Sequence, residues 1–524
     1  MARFGVFGWG IVAPRCPNIE EFERHLASND HWLSPFDGFG PSNFLVGMPE
    51  FDFAAYKDWI DARFPPSRFP QLAEKMDLPT QYAVGSFIQA LGQNPGLEAE
   101  LAALGTSAHV YVGSGLGALD TTRKVSLHLH RAQRRWDHFW AQPERNGALA
   151  RYLAGDVTAA GDEPLPLHPD RVPEEDRDDA VSDWWHFWAA KSEQLADYLA
   201  ELREIEGLTV QGTVESGKLG LIKEKQRRMK RLDAKWGAPS PPWREVSANL
   251  VWNIQNTPAS QISMMGRITG LSFAPVAACA TFGVCLKLAL DALARGEAKA
   301  VVVGATDPPP LDLVVGAFYG ARVGAADGSV SKPMTGLRGT HVAGGSVVWV
   351  VGDYDYFTAR GFRPLGMEPL AVGVSSDADH IITPSKDGPL TAIRMALAEA
   401  GVTPHDVASW DLHATATPGD YLEVENLREV LPEHVLITAR KGTFGHGMGA
   451  GGGWELTAQF LGYEKGRIFP TPLAETELHP EIGRVHDRFV FNAGCAAPAG
   501  AAGKLSMGVG GINACVISRP WSRD

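Results

Sequence analysis

"LSFAPVAACATFGVCLKLALDALARGEAKAVVVGATD" (residues 271–307) runs from a short apolar stretch through a cysteine among small residues into a long apolar segment closed by glycine, then into a second apolar run. From Cys279 to Arg295 charge is found only at Lys287, Asp291 and Arg295. Their i, i+4, i+8 spacing makes one narrow polar stripe on an otherwise buried helix, and Gly296 ends it. The flanking runs are short and lack polar alternation, as in strands covered on both faces. The stretch therefore predicts strand, helix, strand, with Cys279 at the helix start. There the positive end of the helix dipole is expected to lower the thiol pKa. Cys285, in mid-helix, reads as a core residue.

The same grammar recurs along the chain. "GGSVVWVVGDY" (344–354), "ASWDLHATATPGD" (408–420), "HVLITARKG" (434–442) and "ACVISRP" (514–520) read as buried strands. "MARFGVFGWGIVAP" reads as a first strand, not a signal peptide, because Gly8, Gly10 and Pro14 break it. "DGPLTAIRMALAEAG" (387–401) reads as a helix with Asp387 as N-cap and Gly401 as its stop. Strands alternating with helices predict a layered α/β architecture. Residues from 120 to about 245 differ. They are rich in charge, carry seven tryptophans from Trp136 to Trp243, and echo "WDHFW" (136–140) in "WWHFW" (184–188). This is expected to be a helical insertion.

Bulk properties narrow the function. With 524 residues and a formal charge of −13, the chain lacks the basic face of a general nucleic-acid binder. No apolar run reaches the ~18 residues of a membrane span. Five cysteines without a C-x-x-C suggest neither a disulfide framework nor a zinc site, so a reduced, cytoplasmic protein is expected. "GWGIVA" (8–13) has a dinucleotide-like glycine pattern, but Pro14 and Pro17 spoil the helix that it needs.

Two histidines stand where open α/β sheets bind ligands, beyond strand ends. His413 closes "SWDLH", and His446 lies in "KGTFGHGMGAGGGWE" (441–455). With "GRITGLSFAPVAACAT" (266–281), "HATATPGDYLE" (413–423) and "SMGVGGINA" (506–514), these motifs resemble, in order, those of the β-ketoacyl synthases, the condensing enzymes of fatty acid and polyketide synthesis. The resemblance implies a thiolase fold: two similar βαβαβ halves, residues 1–358 and 359–524, in an α-β-α-β-α arrangement. It implies an elongating Cys-His-His site, since initiating members carry asparagine where His446 stands.

On that resemblance Cys279 takes an acyl chain from an acyl carrier protein, and His413 and His446 hold the malonyl thioester and assist decarboxylation. The backbone N–H groups of Cys279 and Val509 would form the oxyanion hole. Lys441 and Glu455 match a lysine–glutamate pair, and Asp420 and Glu423 match the acids after the first histidine. No metal or cofactor is implied. The expected assembly is a homodimer, or a heterodimer with a related subunit. Alternatives are an acyl-cysteine transferase that does not condense and a non-catalytic partner subunit. Two departures stand out: the family's G-F-G-G turn reads Gly508-Val509-Gly510-Gly511, and its G-E-G reads Gly344-Gly345-Ser346. The basic run "KEKQRRMKRLDAK" (223–235), with Arg227, Arg228 and Arg231, is a candidate docking surface for an acidic carrier protein.

Overall fold

A computed structural model describes residues 2–210, 213–383 and 385–521. Two compact units divide them: a body of residues 1–120 and 251–524, and an inserted unit of residues 121–250.

The body is built on two five-stranded sheets. The first holds β1 (Phe4–Val12), β2 (Ala108–Gly113), β3 (Ser272–Phe273), β4 (Ala300–Asp307) and β5 (Gly345–Asp353), in the order β1-β5-β4-β2-β3. The second holds β6 (Met367–Ser376), β7 (Val407–Asp411), β8 (Leu436–Thr438), β9 (Ala501–Gly508) and β10 (Ile512–Pro520), in the order β8-β7-β9-β10-β6. Counted from the first strand of each half, both sheets read 1-5-4-2-3. Directions agree as well: β1/β5 and β5/β4 are antiparallel like β6/β10 and β10/β9, and β4/β2 and β2/β3 are parallel like β9/β7 and β7/β8. One topology is thus used twice.

Every strand read from the sequence is present, and β1, β2 and β4 are buried throughout, as uniformly apolar runs require. The outer face of the first sheet packs under α1 (Leu78–Gly92), with Phe87, Val110, Val302 and Val350 in one core. Its inner face meets α2 (Thr281–Ala294) and α5 (Met448–Glu464), which also contact Val372, Ala502 and Val516 of the second sheet. The outer face of the second sheet is covered by α3 (Asp387–Ala400) and α4 (Gly419–Arg428) around Trp410, Leu505 and Ile517. Five layers, α-β-α-β-α, result.

On α2 the charged stripe closes on itself, Lys287 Nζ donating to Asp291 at 2.6 Å. Helix α3 ends at Gly401 in the left-handed region, but its N-cap differs from expectation. Asp387 is already inside the helix, and the Ser385 hydroxyl, two residues earlier, accepts the N–H of Gly388 instead.

The inserted unit consists largely of helices, the long ones at Leu119–Trp140, Arg177–Ala189, Glu193–Glu206 and Val214–Trp236. Most of its tryptophans form its own interior: Trp136, Trp140, Tyr198 and Trp236 meet mainly edge to face, and Trp184 and Trp188 pack with Tyr152. The two look-alike segments are stitched together. Asp137 bonds His186 at 3.0 Å, and the Asn146 amide donates to the carbonyls of both Trp140 and Trp188. Among the described residues no helix is long and apolar enough to cross a membrane.

Candidate active site

Cys279 lies in a 3-10 turn, Ala278–Ala280, that leads directly into α2. The turn is strained: Ala278 has φ +46°, unfavourable for a side-chain-bearing residue. Thr281 braces it, its hydroxyl accepting from Ala277 N–H at 3.0 Å and donating to the Ala278 carbonyl at 2.7 Å. Gly508 packs against it from β9 with no room for a Cβ, which would sit 2.8 Å from the Ala277 carbonyl oxygen.

The thiol does not behave as its place at a helix start suggests. Burial pushes its pKa up to about 11, against the opposing pull of the Lys441 charge and of the backbone N–H groups of Val509 and Cys279 itself. Removing the thiolate from water outweighs the dipole, and the expected lowering is not found in the free site. Val509 nonetheless holds its N–H toward the sulfur while its side chain is 50% exposed. Its turn is tied to the loop after β6, Gly510 N–H donating to the Ile381 carbonyl at 2.7 Å.

His413 follows β7, and His446 stands just before α5; their rings lie 5.4 Å apart at 82°. Both are buried, and both have pKa values well below the usual histidine range. Burial is the main cause, and the Lys441 and Lys504 charges add to it. The imidazoles are therefore neutral at physiological pH, each able to donate one N–H. His446 Nδ1 is buried without a hydrogen-bond partner among the described residues. The glycines after it let α5 approach closely: a Cβ on Gly452 would lie 2.7 Å from Ser506 Oγ, and one on Gly453 2.4 Å from a Val347 methyl.

Lys441 links the two histidine segments. Its Nζ donates to the His413 carbonyl and, at 2.7 Å, to Glu455 of α5; the pair is fully buried. Glu423 receives the N–H groups of His413 and Ala414 at 2.7 and 2.8 Å, and Asp420 those of Thr415, Ala416 and Met334. These carboxyls fix the loop after His413 from α4. Burial raises their pKa values to about 7 for Glu423 and about 6 for Asp420.

Cys279, His413, His446, Lys441, Glu455, Asp420, Glu423 and the Val509 N–H thus belong to one site in the body. Arg227, Arg228 and Arg231 lie on the helix Val214–Trp236 of the inserted unit, where Glu224 pairs with both Arg227 and Arg228. At the second sequence departure the backbone leaves no space for a carboxylate. A Cβ on Gly345 would lie 2.2 Å from the Val12 carbonyl, and Ser346 bonds Ser86 at 2.7 Å.

Two groups escaped the sequence reading. Asp307, at the end of β4, accepts from Leu116 N–H at 2.7 Å, Ser114 Oγ at 3.1 Å and Gly449 N–H at 2.8 Å, and burial raises its pKa to about 7. It ties the loop after β2 to the start of α5. Lys504, in the middle of β9, is a buried cation in an apolar strand. Such a lone charge is a signal in itself.

Models of the β-ketoacyl synthase N-terminal and C-terminal domains match residues 219–353 and 368–474. Nodulation protein E of Rhizobium meliloti is 31% identical over 238 residues, covering 43% of this chain and 59% of that protein. The chloroplastic 3-oxoacyl-[acyl-carrier-protein] synthase I of Hordeum vulgare is 28% identical over 297 residues, covering 53% and 62%. The chain therefore spans less than two thirds of the length of these relatives. A type II polyketide ketosynthase solved with its acyl carrier protein shares the fold, with TM-score 0.65 and 17% identity over 99% of this chain and all of that one. Consecutive matches to both domain models, on a fold that repeats one topology, make the chain similar in sequence to the β-ketoacyl synthases across both of their domains.

Proposed function

We propose that this chain is a β-ketoacyl-acyl carrier protein synthase, joining an acyl group held on Cys279 to a malonyl unit in fatty acid or polyketide synthesis. One observation carries the reading: a buried cysteine under the Val509 N–H shares a site with two neutral imidazoles. In the first step sulfur attacks the carrier thioester, the carbon–sulfur bond to the carrier breaks, and the carrier thiol leaves with the cysteine's proton. The N–H groups of Val509 and Cys279 receive the charge that develops on the carbonyl oxygen.

In the second step the malonyl carbon–carbon bond breaks and CO2 leaves. The electron pair passes to an enolate, whose oxygen takes hydrogen bonds from the N–H groups of His413 and His446. Neutral rings suit this role, because an imidazolium would pair with the malonyl carboxylate that must depart. The enolate carbon then attacks the acyl-cysteine, a carbon–carbon bond forms, and the released Cys279 sulfur takes one proton from solvent. Lys441, Glu455, Asp420 and Glu423 hold the histidine segments in place.

The halves 1–358 and 359–524 would then divide nucleophile from histidines. The finer points of the reading are a cytoplasmic enzyme that works as a dimer and meets an acidic carrier protein through Arg227, Arg228 and Arg231. The edge strand β3 supports the dimer, since Leu271 and Val276 beside it are exposed.

The test pairs two measurements on the intact chain. Incubation with an acyl carrier thioester should add the acyl mass to the Cys279 peptide. Malonyl carrier protein should then release CO2 and leave a 3-oxoacyl carrier. Acylation without CO2 would instead identify a plain acyltransferase, and neither event a non-catalytic subunit.

A further inference from the structure

Lys504 is the charge for which the proposed chemistry has no assigned use. It sits in β9 among Gly503, Leu505 and Ser506 with its side chain 1% exposed. A buried ammonium is costly unless each of its protons is satisfied. Here Nζ donates to the Leu412 carbonyl at 3.1 Å and the Leu505 carbonyl at 2.6 Å, and it forms an ion pair with Glu455 Oε2 at 2.7 Å. Asp411, its register partner on β7, lies 3.5 Å away.

Each contact leads to a different part of the site. Leu412 immediately precedes His413. Leu505 is four residues before Val509. Glu455, through its other oxygen, binds Lys441, which in turn holds the His413 carbonyl. Asp411 also accepts from Thr438 at 2.6 Å and faces Arg440 at 3.3 Å. The buried group therefore contains three cations (Lys441, Lys504, Arg440) and two anions (Glu455, Asp411), and Glu423 is close enough for its charge to act on Lys504.

We propose that Lys504 is a positioning residue of the Cys-His-His site: its ammonium joins the strand that presents His413 to the strand that presents the Val509 N–H, and sets a second positive charge beside that of Lys441 behind both imidazoles. The proposal rests on the ketosynthase reading for its consequence, though not for its test. The charge acts on both rings, alongside that of Lys441. The other titratable groups around them are Glu455 on α5, Glu423 and Asp420 on α4, and Cys279 and Asp307 from the first half. A lysine supplies this charge without taking up a proton donor that the substrate needs.

The experiment follows the two rings by NMR of histidine-labelled protein across pH 5–8, with His413→Ala and His446→Ala for assignment. Relative to the wild type the charge of the group is one lower in Lys504→Met, one higher in Asp411→Asn, and unchanged in the double variant Lys504→Met/Asp411→Asn. In Lys504→Met both rings should gain proton affinity at least tenfold and begin to titrate within the window. The double variant should return toward wild type, and Asp411→Asn should stay neutral throughout. CO2 release from malonyl carrier protein should lose its acid limb in the same order, falling at least tenfold at pH 6 in Lys504→Met and recovering at pH 8.

If Lys504→Met does not fold, the double variant against Asp411→Asn still isolates the lysine, because the pair differs only there. The double variant should then bind protons more tightly at both rings. Rings with the same affinity in every folded variant would overturn the proposal. The titration needs no substrate, so a wild-type chain that releases no CO2 would refute the ketosynthase reading and leave this result standing.

Discussion

In the first half of the body the central helix α2 begins one turn after Ala278, with Cys279 in the strained corner; in the second, α5 begins at Met448, two residues after His446. Ala278 and Met448 have nearly the same unusual backbone, φ +46° and +48°. The same sheet order and a like backbone turn near the start of the central helix have thus been given different chemistry. The first half places a thiol and almost no charge in its strands, β4 being Ala-Val-Val-Val-Gly-Ala-Thr before Asp307. The second buries Lys441, Lys504, Arg440, Glu455 and Asp411 behind its histidines. A shared topology sets where reactive groups stand, and the charge behind them sets what they do.

Substitution at the two corners should separate these roles, and here the largest effect is expected. Cys279→Ser should abolish formation of a stable acyl-enzyme while leaving malonyl decarboxylation measurable, since that step uses the second half alone. His413→Ala or His446→Ala should do the reverse. Each should keep acylation of Cys279 and lose ~10²–10³ in condensation, the usual effect of one positioned donor. Peptide mass spectrometry reads the first step and CO2 release the second. Loss of both steps in every variant would mean that the halves act as one indivisible unit.

A smaller effect concerns pH and stability. Asp307 in the first half and Glu423 in the second both have pKa values near 7, above the ordinary carboxyl range. A group raised in the folded state contributes stability that is full below its unfolded pKa, about 4, and is lost as pH rises through 7. The neutral histidines act oppositely, contributing above their unfolded pKa of about 6.5 and losing that contribution as pH falls. Asp307→Asn should therefore lose melting temperature at pH 5, where the acid is protonated and its bonds are intact. That loss should shrink toward pH 8. Glu423→Gln should follow the same pattern, which scanning calorimetry at both pH values would check. A deficit that grows with pH would show that the N–H donors stabilise the ionised carboxylate more than burial penalises it.

Much of this was legible before the structure, for physical reasons. Buried strands declare themselves by continuous apolar runs, and Cys279, His413 and His446 by falling where such runs end. The thiol pKa was misread because a helix start can be seen in sequence whereas the depth at which it lies cannot. The N-cap of α3 is Lys386, one residue before Asp387, and the side-chain acceptor comes from Ser385, which on paper is as good a cap residue as Asp387. Lys504 is not legible as a site residue in "AAGKLSMG" (501–508), which leads into a glycine motif. Its charge makes sense only beside Glu455 and Asp411, distant in the chain. Most tryptophans of the insertion pack into its own core, a role that their positions in the chain do not reveal.

The smallest expected effect lies at the turns that close the fourth strand of each half. β4 ends at Asp307 and is followed by Pro308-Pro309-Pro310, where three prolines lock the backbone. After β9 comes Gly508-Val509-Gly510-Gly511, with Gly510 and Gly511 at φ +95° and +73°, a backbone that glycine adopts without penalty. The first-half turn is fixed by its prolines and the second by glycines in a backbone that other residues avoid, with a half-exposed valine at its tip. Val509→Phe keeps the backbone N–H and needs no repacking of the core, so stability should change by no more than about 0.5 kcal/mol. The larger ring should shift the acyl preference toward shorter or less branched chains by up to about tenfold in kcat/KM, the scale on which a pocket separates one methylene. Competition between acyl thioesters of graded length, with acylated Cys279 read by mass, measures the shift directly. A flat response to Val509→Phe, with a marked response to Gly510→Ala, would assign the selection to the freedom of the turn and not to the side chain it carries.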